Sequence, residues 1–268
     1  MFISMSRVVA CSILAALVSF TLPVSVHAQK RSPKLDVEYV PTPPHMVKRM
    51  LDMAAVGPSD YVIDLGCGDG RLSIAAALRG ARSLGVDLDA DRIKEATANA
   101  EKAKVADKVT FLQQNLFETD IKDATVLTMY LLPELNRKLS PTILKLKPGT
   151  RIVSHEFDMD PWIADRHVWV GEYEIYYWVV PAPVAGTWRM KSADQELTVE
   201  IKQRFQRIRG VAKVGQGSVP LRNAKVNGDK IEFVVTMNGK RVPFSGTVDG
   251  DKMSGKTKSG QEWTATRA

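Results

Sequence analysis

Cysteine is scarce in this 268-residue chain: Cys11 and Cys67 are the two present, alongside four scattered histidines. Cys11 falls inside an N-terminal apolar run, so a chain cut beyond it keeps Cys67 alone and has no internal disulfide framework. The histidines share no ligand spacing with one another or with Cys67, which argues against a zinc centre. A full membrane span is also missing. Arg7 precedes the apolar run Val8 to Phe20, which fades and ends at Val26-His27-Ala28. That run is shorter than the about 20 residues a spanning helix needs. A positive start, a short apolar core and a small-residue end describe a secretory signal. Residues 1–28 are therefore read as a signal peptide cleaved near Ala28, sending the chain to the periplasm or the exterior. An uncleaved membrane anchor is the alternative. Aromatic residues make up 7% of the chain and form no aromatic-basic array, so no nucleic-acid motif emerges.

What is present begins at Tyr61-Val62-Ile63-Asp64-Leu65-Gly66-Cys67-Gly68-Asp69-Gly70-Arg71. An apolar strand carries Asp64 near its end, and glycines follow at alternate positions before a helical run. Glycine turns the backbone sharply and removes the Cβ that would hold a ligand away. The turn then presents main-chain N–H groups and a helix N-terminus to a bound cofactor. A second strand, Ser83-Leu84-Gly85-Val86-Asp87-Leu88-Asp89, brings Asp87 and Leu88 to a neighbouring tip, where a carboxylate binds ribose hydroxyls. The two elements describe a pocket for an adenosine-containing cofactor.

The dinucleotide fingerprint reads G-x-G-x-x-G, whereas this chain reads G-x-G-x-G. With Asp64 ahead of Gly66, Gly68 and Gly70, and Asp87 after them, the stretch resembles motif I of the class I S-adenosylmethionine (SAM) methyltransferases. The resemblance covers roughly Tyr39 to Ala182. It implies SAM as cofactor, Asp87 as the ribose-binding acid, and a backbone lining that includes Cys67. It also implies adenine recognition by Asn115 and Leu116 after strand 108–113, although many members have Asp where this chain has Asn115. A nucleotide-like fold without its ligand and an NAD site are the other readings of these residues. Tyr39-Val40-Pro41-Thr42 together with the glycine loop looks like the mitochondrial ATP-synthase lysine methyltransferase group and, more distantly, the non-SET histone-lysine enzymes. That likeness implies a protein-lysine acceptor, with Tyr39 and Thr42 as lid contacts over the cofactor.

Strands at 61–65, 83–87, 108–113 and 124–130 alternate with helices at 71–79, 90–103 and 134–144, as parallel βαβ units do. Strand Arg151 to Ser154 follows, and 167–170 with 174–180 reads as an antiparallel closing pair. The strand carboxyl ends gather Asp64, Asp87, Asn115, Tyr130 and His155 at one edge, where ligands bind in such sheets. Methyl transfer from a sulfonium needs alignment of the nucleophile rather than a metal. An amine acceptor must also lose a proton, so Tyr130, His155 and Glu156 are the candidate catalytic residues. The chain lacks the Asn/Asp-Pro-Pro-aromatic motif that implies adenine or glutamine-amide acceptors, having Met129-Tyr130-Leu131-Leu132-Pro133 instead.

Beyond Ala182-Pro183 the apolar period changes to two, and Asn227-Gly228, Asn238-Gly239 and Asp249-Gly250 mark tight hairpins. Seven or eight short strands are expected, closing into a small barrel or sandwich. The fold is thus α/β, a doubly wound Rossmann-like methyltransferase sheet followed by a small C-terminal all-β domain. The expected divisions are signal 1–28, linker 29–38, SAM-binding domain 39–183 and basic β domain 184–268. Of the formal charge of +7, the region from Gly186 onward contributes 16 basic and 8 acidic residues. Such a field attracts an acidic partner or anionic surface, while a solvated β-surface needs no partner. The methyl acceptor, protein or small molecule, is not named by these residues. Export conflicts with a cofactor made in the cytoplasm. This leaves an exported ligand-binding protein, or an envelope-docking unit on the same scaffold, as alternatives to the enzyme.

Overall fold

The computed structural model describes residues 39–193 and 195–268; the signal and linker assigned to 1–38 lie outside them. Helix α1 (Pro44–Met53) opens on proline, whose fixed φ and missing N–H suit a first helical turn. Strands β1 (Tyr61–Leu65), β2 (Arg82–Asp87), β3 (Val109–Gln113), β4 (Val126–Met129) and β5 (Arg151–His155) then alternate with helices. These helices are α2 (Arg71–Leu78), α3 (Ala90–Lys102) and, before β5, α4 (Pro133–Ile143). β6 (Arg166–Val170) and β7 (Tyr173–Val179) complete a sheet ordered β3-β2-β1-β4-β5-β7-β6. The first five strands are parallel, and β7 is antiparallel to both neighbours. The expected closing pair therefore forms at the predicted place.

Alternate residues of one strand feed two different cores, which is why the strands read as continuous apolar runs. Val62, Val126 and Val153 pack with Met46, Met50 and Leu51 of α1 on one face. Ile63, Leu65, Leu127, Met129 and Ile152 pack with Leu139 and Ile143 of α4 on the other. Neither face of the central strands meets water, so the strand tips are where polar chemistry can be placed.

Nine strands follow: β8 (Gly186–Ser192), β9 (Gln195–Arg204), β10 (Arg207–Val214), β11 (Gly217–Pro220), β12 (Arg222–Asn227), β13 (Lys230–Met237), β14 (Lys240–Asp249), β15 (Lys252–Thr257) and β16 (Glu262–Arg267). β8 pairs with β16, and β9 pairs with β10, so eight strands close into an antiparallel barrel with β11 as a short flap on β10. The predicted turn glycines Gly228, Gly239 and Gly250 adopt positive φ at three of its hairpins. The inward residues include Trp188, Met190, Phe233, Phe244 and Trp263, all buried. Phe233 and Phe244 lie 5.9 and 6.0 Å from the Trp263 ring centre, so the interior is packed with side chains.

Sheet and barrel belong to one compact unit. The β9–β10 turn stacks Phe205 on Trp162 at 5.9 Å, and Gln206 accepts from Trp162 Nε1 and donates to the Ile163 carbonyl. The Gly228 carbonyl accepts from Ala182 N, and a Cβ on Gly228 would lie 3.1 Å from Gly149 Cα. Gly149 precedes β5, and Val179 of β7 pairs with Arg151 at its start. The barrel therefore sits at the end of the sheet where the parallel strands begin, away from their carboxyl tips. Among the described residues, no helix is long and apolar enough to cross a membrane.

Candidate active site

At the carboxyl tips of β1, β2 and β4 a cleft of about 910 Å³, counting its open mouth, is lined by Asp64, Gly66, Cys67, Asp87, Leu88, Leu116 and Tyr130. The strap Tyr39 to Thr42 forms its other wall. Seven of the sequence-derived candidates thus meet in one place. Gly68, Gly70, Asn115, His155 and Glu156 lie off the lining, each for a separate reason.

Gly68 (φ +52°) lies beneath the strap, and a Cβ there would stand 2.3 Å from the Tyr39 ring. Its N–H donates to Asp87 Oδ2 at 2.9 Å, while Asp89 N donates to Oδ1 at 3.0 Å. Those two amides aim the Asp87 carboxylate at the glycine loop, and its remaining lone pairs stay free for hydroxyl donors. Gly70 (φ +80°) is the N-cap of α2, pressed against Phe111 and Ala96. It shapes the turn from behind. Asn115 accepts from Phe117 N and so caps the short 3₁₀ turn 116–118, leaving Gln114 and Leu116 on the cleft wall.

Asp64 is 2% exposed and accepts from Thr128 Oγ1 at 2.8 Å and from Ser73 Oγ at 3.4 Å. Burial raises its pKa to about 7 against those two hydroxyls. Burial also pushes the Cys67 thiol up, with Asp64 and Asp87 adding to the effect, so Cys67 stays protonated and is a poor nucleophile.

Tyr130 follows β4 and faces the cleft, with its ring 4.1 Å from His155 and 6.2 Å from Phe157. Burial, then the Glu156 charge, raises its phenol above the ordinary value. It is therefore a neutral hydroxyl at physiological pH. His155, the last residue of β5, is 1% exposed and lies behind Tyr130. Its Nδ1 is 3.3 Å from Thr42 Oγ1 and its Nε2 has no hydrogen-bond partner. Burial, then His45, lowers its pKa to about 4, so the 3.7 Å approach of Glu156 to Nε2 is not an ion pair at neutral pH. Glu156 itself sits at φ +66°, uncommon for a residue with a Cβ, and is held there by its N–H donating to the Glu174 carbonyl.

The residues missed by sequence reasoning form the anchor of the strap. Asp69 takes a two-pronged contact from Arg71 (Nε 2.9 Å, Nη2 2.6 Å), while Arg71 Nη1 donates to the Thr42 carbonyl at 2.7 Å. Burial opposes ionisation of Asp69, but the Arg71 contacts outweigh it and hold its pKa below the ordinary value. Arg92 stacks on Tyr39 at 4.7 Å. One signal was legible: Arg71 is the first residue of α2, where a cation opposes the helix dipole unless a carboxylate holds it.

The cleft fits an adenosyl cofactor. Gly66 sits at φ +81°, which disfavours any side chain, and a Cβ there would also stand 2.9 Å from the Leu131 side chain, so glycine keeps the floor open. Leu88, Leu116 and Leu135 supply apolar walls for a flat base, and Asp87 supplies acceptors for a diol.

Comparison with known proteins agrees with this geometry. The family model described as an ANTKMT methyltransferase domain matches residues 64–166. A protein-lysine N-methyltransferase of Saccharolobus islandicus is 50% identical over 129 residues, 47% of this chain and 80% of that protein. A ribosomal protein L11 methyltransferase of Geobacillus thermodenitrificans is 40% identical over 101 residues, 37% of this chain and 32% of that protein. The crystal structure of an RNA methyltransferase from Salinibacter ruber in complex with S-adenosyl-L-homocysteine superposes with a TM-score of 0.53 at 48% identity, covering 54% of this chain and 96% of that one. The sheet order, the glycine loop facing an acidic β2 tip, and these relatives lead to one assignment: the chain belongs to the class I SAM-dependent methyltransferase family.

Proposed function

We propose that this enzyme methylates lysine side chains of a protein acceptor. The observation that carries the reading is the placement of Tyr130 and Asp87 in one cleft, on the strands either side of β1. The 50% identical relative bearing the name protein-lysine N-methyltransferase supplies the acceptor class. When bound, SAM supplies an electrophilic methyl group on its sulfonium.

Asp87, aimed by the Gly68 N–H, would hold the ribose, and the side-chain-free Gly66 to Gly68 loop would leave room for the amino-acid end of the cofactor. Leu88, Leu116 and Gln114 would hold its base. Tyr39 closes over Gly68 and excludes water from that side. The Tyr130 hydroxyl is neutral, so it accepts a hydrogen bond from an incoming amine and orients the nitrogen lone pair; the ammonium proton leaves to solvent before this contact forms. His155 packs behind Tyr130 and is a positioning residue, tied to the strap through Thr42.

The test is incubation of the full chain with SAM carrying a deuterated methyl group and a protein extract from its host. Mass spectrometry is expected to find labelled lysine, lost with Asp87→Ala. Tyr130→Phe is expected to lower turnover about tenfold, the worth of one oriented hydrogen bond, with S-adenosylhomocysteine affinity retained. Label appearing in RNA or small molecules but not in protein would overturn the lysine assignment. Export belongs to the same reading: N-terminal sequencing of the chain from its host is expected to begin near Gln29, and an intact Met1 would contradict it.

A further inference from the structure

The barrel pairs its outward charges by a rule that one hairpin breaks. Lys191 stands opposite Glu196, Lys225 opposite Glu232 and Lys256 opposite Glu262 in strand register. Each of these cations lies within 3.6 Å of its carboxylate. The β9–β10 hairpin does the reverse. Arg204 faces Arg207 and Lys202 faces Arg209, all four exposed on the barrel's outer face. Among the described residues, six of the barrel's seven carboxylates, including Glu200 on β9 itself, are engaged by Lys191, Lys213, Lys225, Lys230, Lys256 and Arg267, and the seventh, Asp249, ends β14. Like charges directly opposite on adjacent strands oppose folding, so the arrangement calls for a counter-charge from outside.

We propose that this hairpin is a docking surface for anionic phospholipid headgroups. Two observations select a lipid surface over other polyanions. β9 is paired by β8 and β10, and β10 by β9, β11 and β12, so neither strand offers a free edge to an acidic peptide. The hairpin's one aromatic, Phe205, is stacked on Trp162 and is not free to stack on a base. Beside the hairpin tip, Ile163 is 53% exposed, with its carbonyl held by Gln206. An exposed aliphatic next to clustered Arg and Lys is the composition of a membrane-surface contact. Docking through the barrel would leave the cleft, at the opposite end of the sheet, open to a protein acceptor.

The test is flotation of the full chain with phosphatidylcholine vesicles, with and without phosphatidylglycerol. Each basic residue near such a surface contributes about fivefold to partitioning. Binding is expected to require phosphatidylglycerol, to weaken with added salt, and to fall more than about tenfold in Arg204→Glu/Arg207→Glu. The control Lys252→Glu/Lys258→Glu changes net charge equally, three or more strands around the barrel, and is expected to bind within about twofold of the parent. Far-ultraviolet circular dichroism and thermal midpoints matching the parent show that both variants are folded. The proposal is overturned by equal binding to both vesicle types, by equal loss in the control, or by binding of an oligonucleotide or acidic polypeptide without vesicle binding.

Discussion

The parallel sheet and the barrel use buried polarity in opposite ways. The sheet buries Asp64, Thr128, Ser154 and His155 near its strand tips, next to the cleft. The barrel interior is almost wholly apolar, with its sixteen basic residues on the outside. A buried ionisable group costs stability unless it is paired or neutral, so the sheet accepts that cost where chemistry is done and the barrel avoids it. Their glycines differ in the same sense. Gly66 and Gly68 clear space beside a ligand cleft, whereas Gly228, Gly239 and Gly250 turn hairpins.

The largest effect that sharpens this contrast is expected in the barrel. Trp263→Ala removes a fully packed indole and should cost about 3–5 kcal/mol in chemical denaturation, with S-adenosylhomocysteine affinity unchanged. A parallel loss of affinity would mean that barrel and cleft are one energetic unit. In the sheet, Asp87→Ala removes a charged acceptor for two hydroxyls and should weaken cofactor binding about a hundredfold, roughly 3 kcal/mol. Gly68→Ala forces a Cβ into the Tyr39 ring at positive φ and should cost about 1–3 kcal/mol of stability. Adding Tyr39→Ala should recover part of that loss, since the clash is with that ring; no recovery would place the strain in the backbone alone.

The smallest effect lies in the pH dependence, because two buried groups oppose each other. Asp64, raised from 3.8 to about 7, keeps a proton in the folded chain that the unfolded chain releases. Its contribution therefore falls as pH rises through that window. His155, lowered from 6.5 to about 4, stays neutral while the unfolded chain takes up a proton, so its contribution falls as pH drops below 6.5. The parent should show a shallow profile between pH 4 and 6.5. Asp64→Asn should leave stability rising with pH there, and His155→Gln should leave it falling. Identical slopes in both variants would contradict the assigned protonation states.

Much of the sheet was legible because period and punctuation agree: apolar runs, glycine turns and prolines at helix starts all mark the same boundaries. The cleft's Asp64, Gly66, Cys67, Asp87, Leu88, Leu116 and Tyr130 were legible because each lies at a strand tip. Gly70 and Asn115 illustrate the limit. A motif position fixes the backbone, but whether a side chain faces a ligand or caps its own turn depends on neighbours such as Phe111 and Phe117, distant or off-register in the pattern. The Asp69–Arg71–Thr42 anchor was hidden for the same reason, since it joins groups 29 residues apart. In the barrel, hairpin signals fixed the strands, yet closure through β9 and β10 depends on pairings that no local pattern encodes. The clash of cations across that hairpin emerged only from the register.

The most direct measurement of the central claim is calorimetric titration of the full chain with S-adenosylhomocysteine, beside Asp87→Ala. One-to-one binding by the parent, lost in the variant, is the expected result. Equal affinities, or no heat from either protein, would contradict a cofactor site built on the glycine loop and its neighbouring carboxylate.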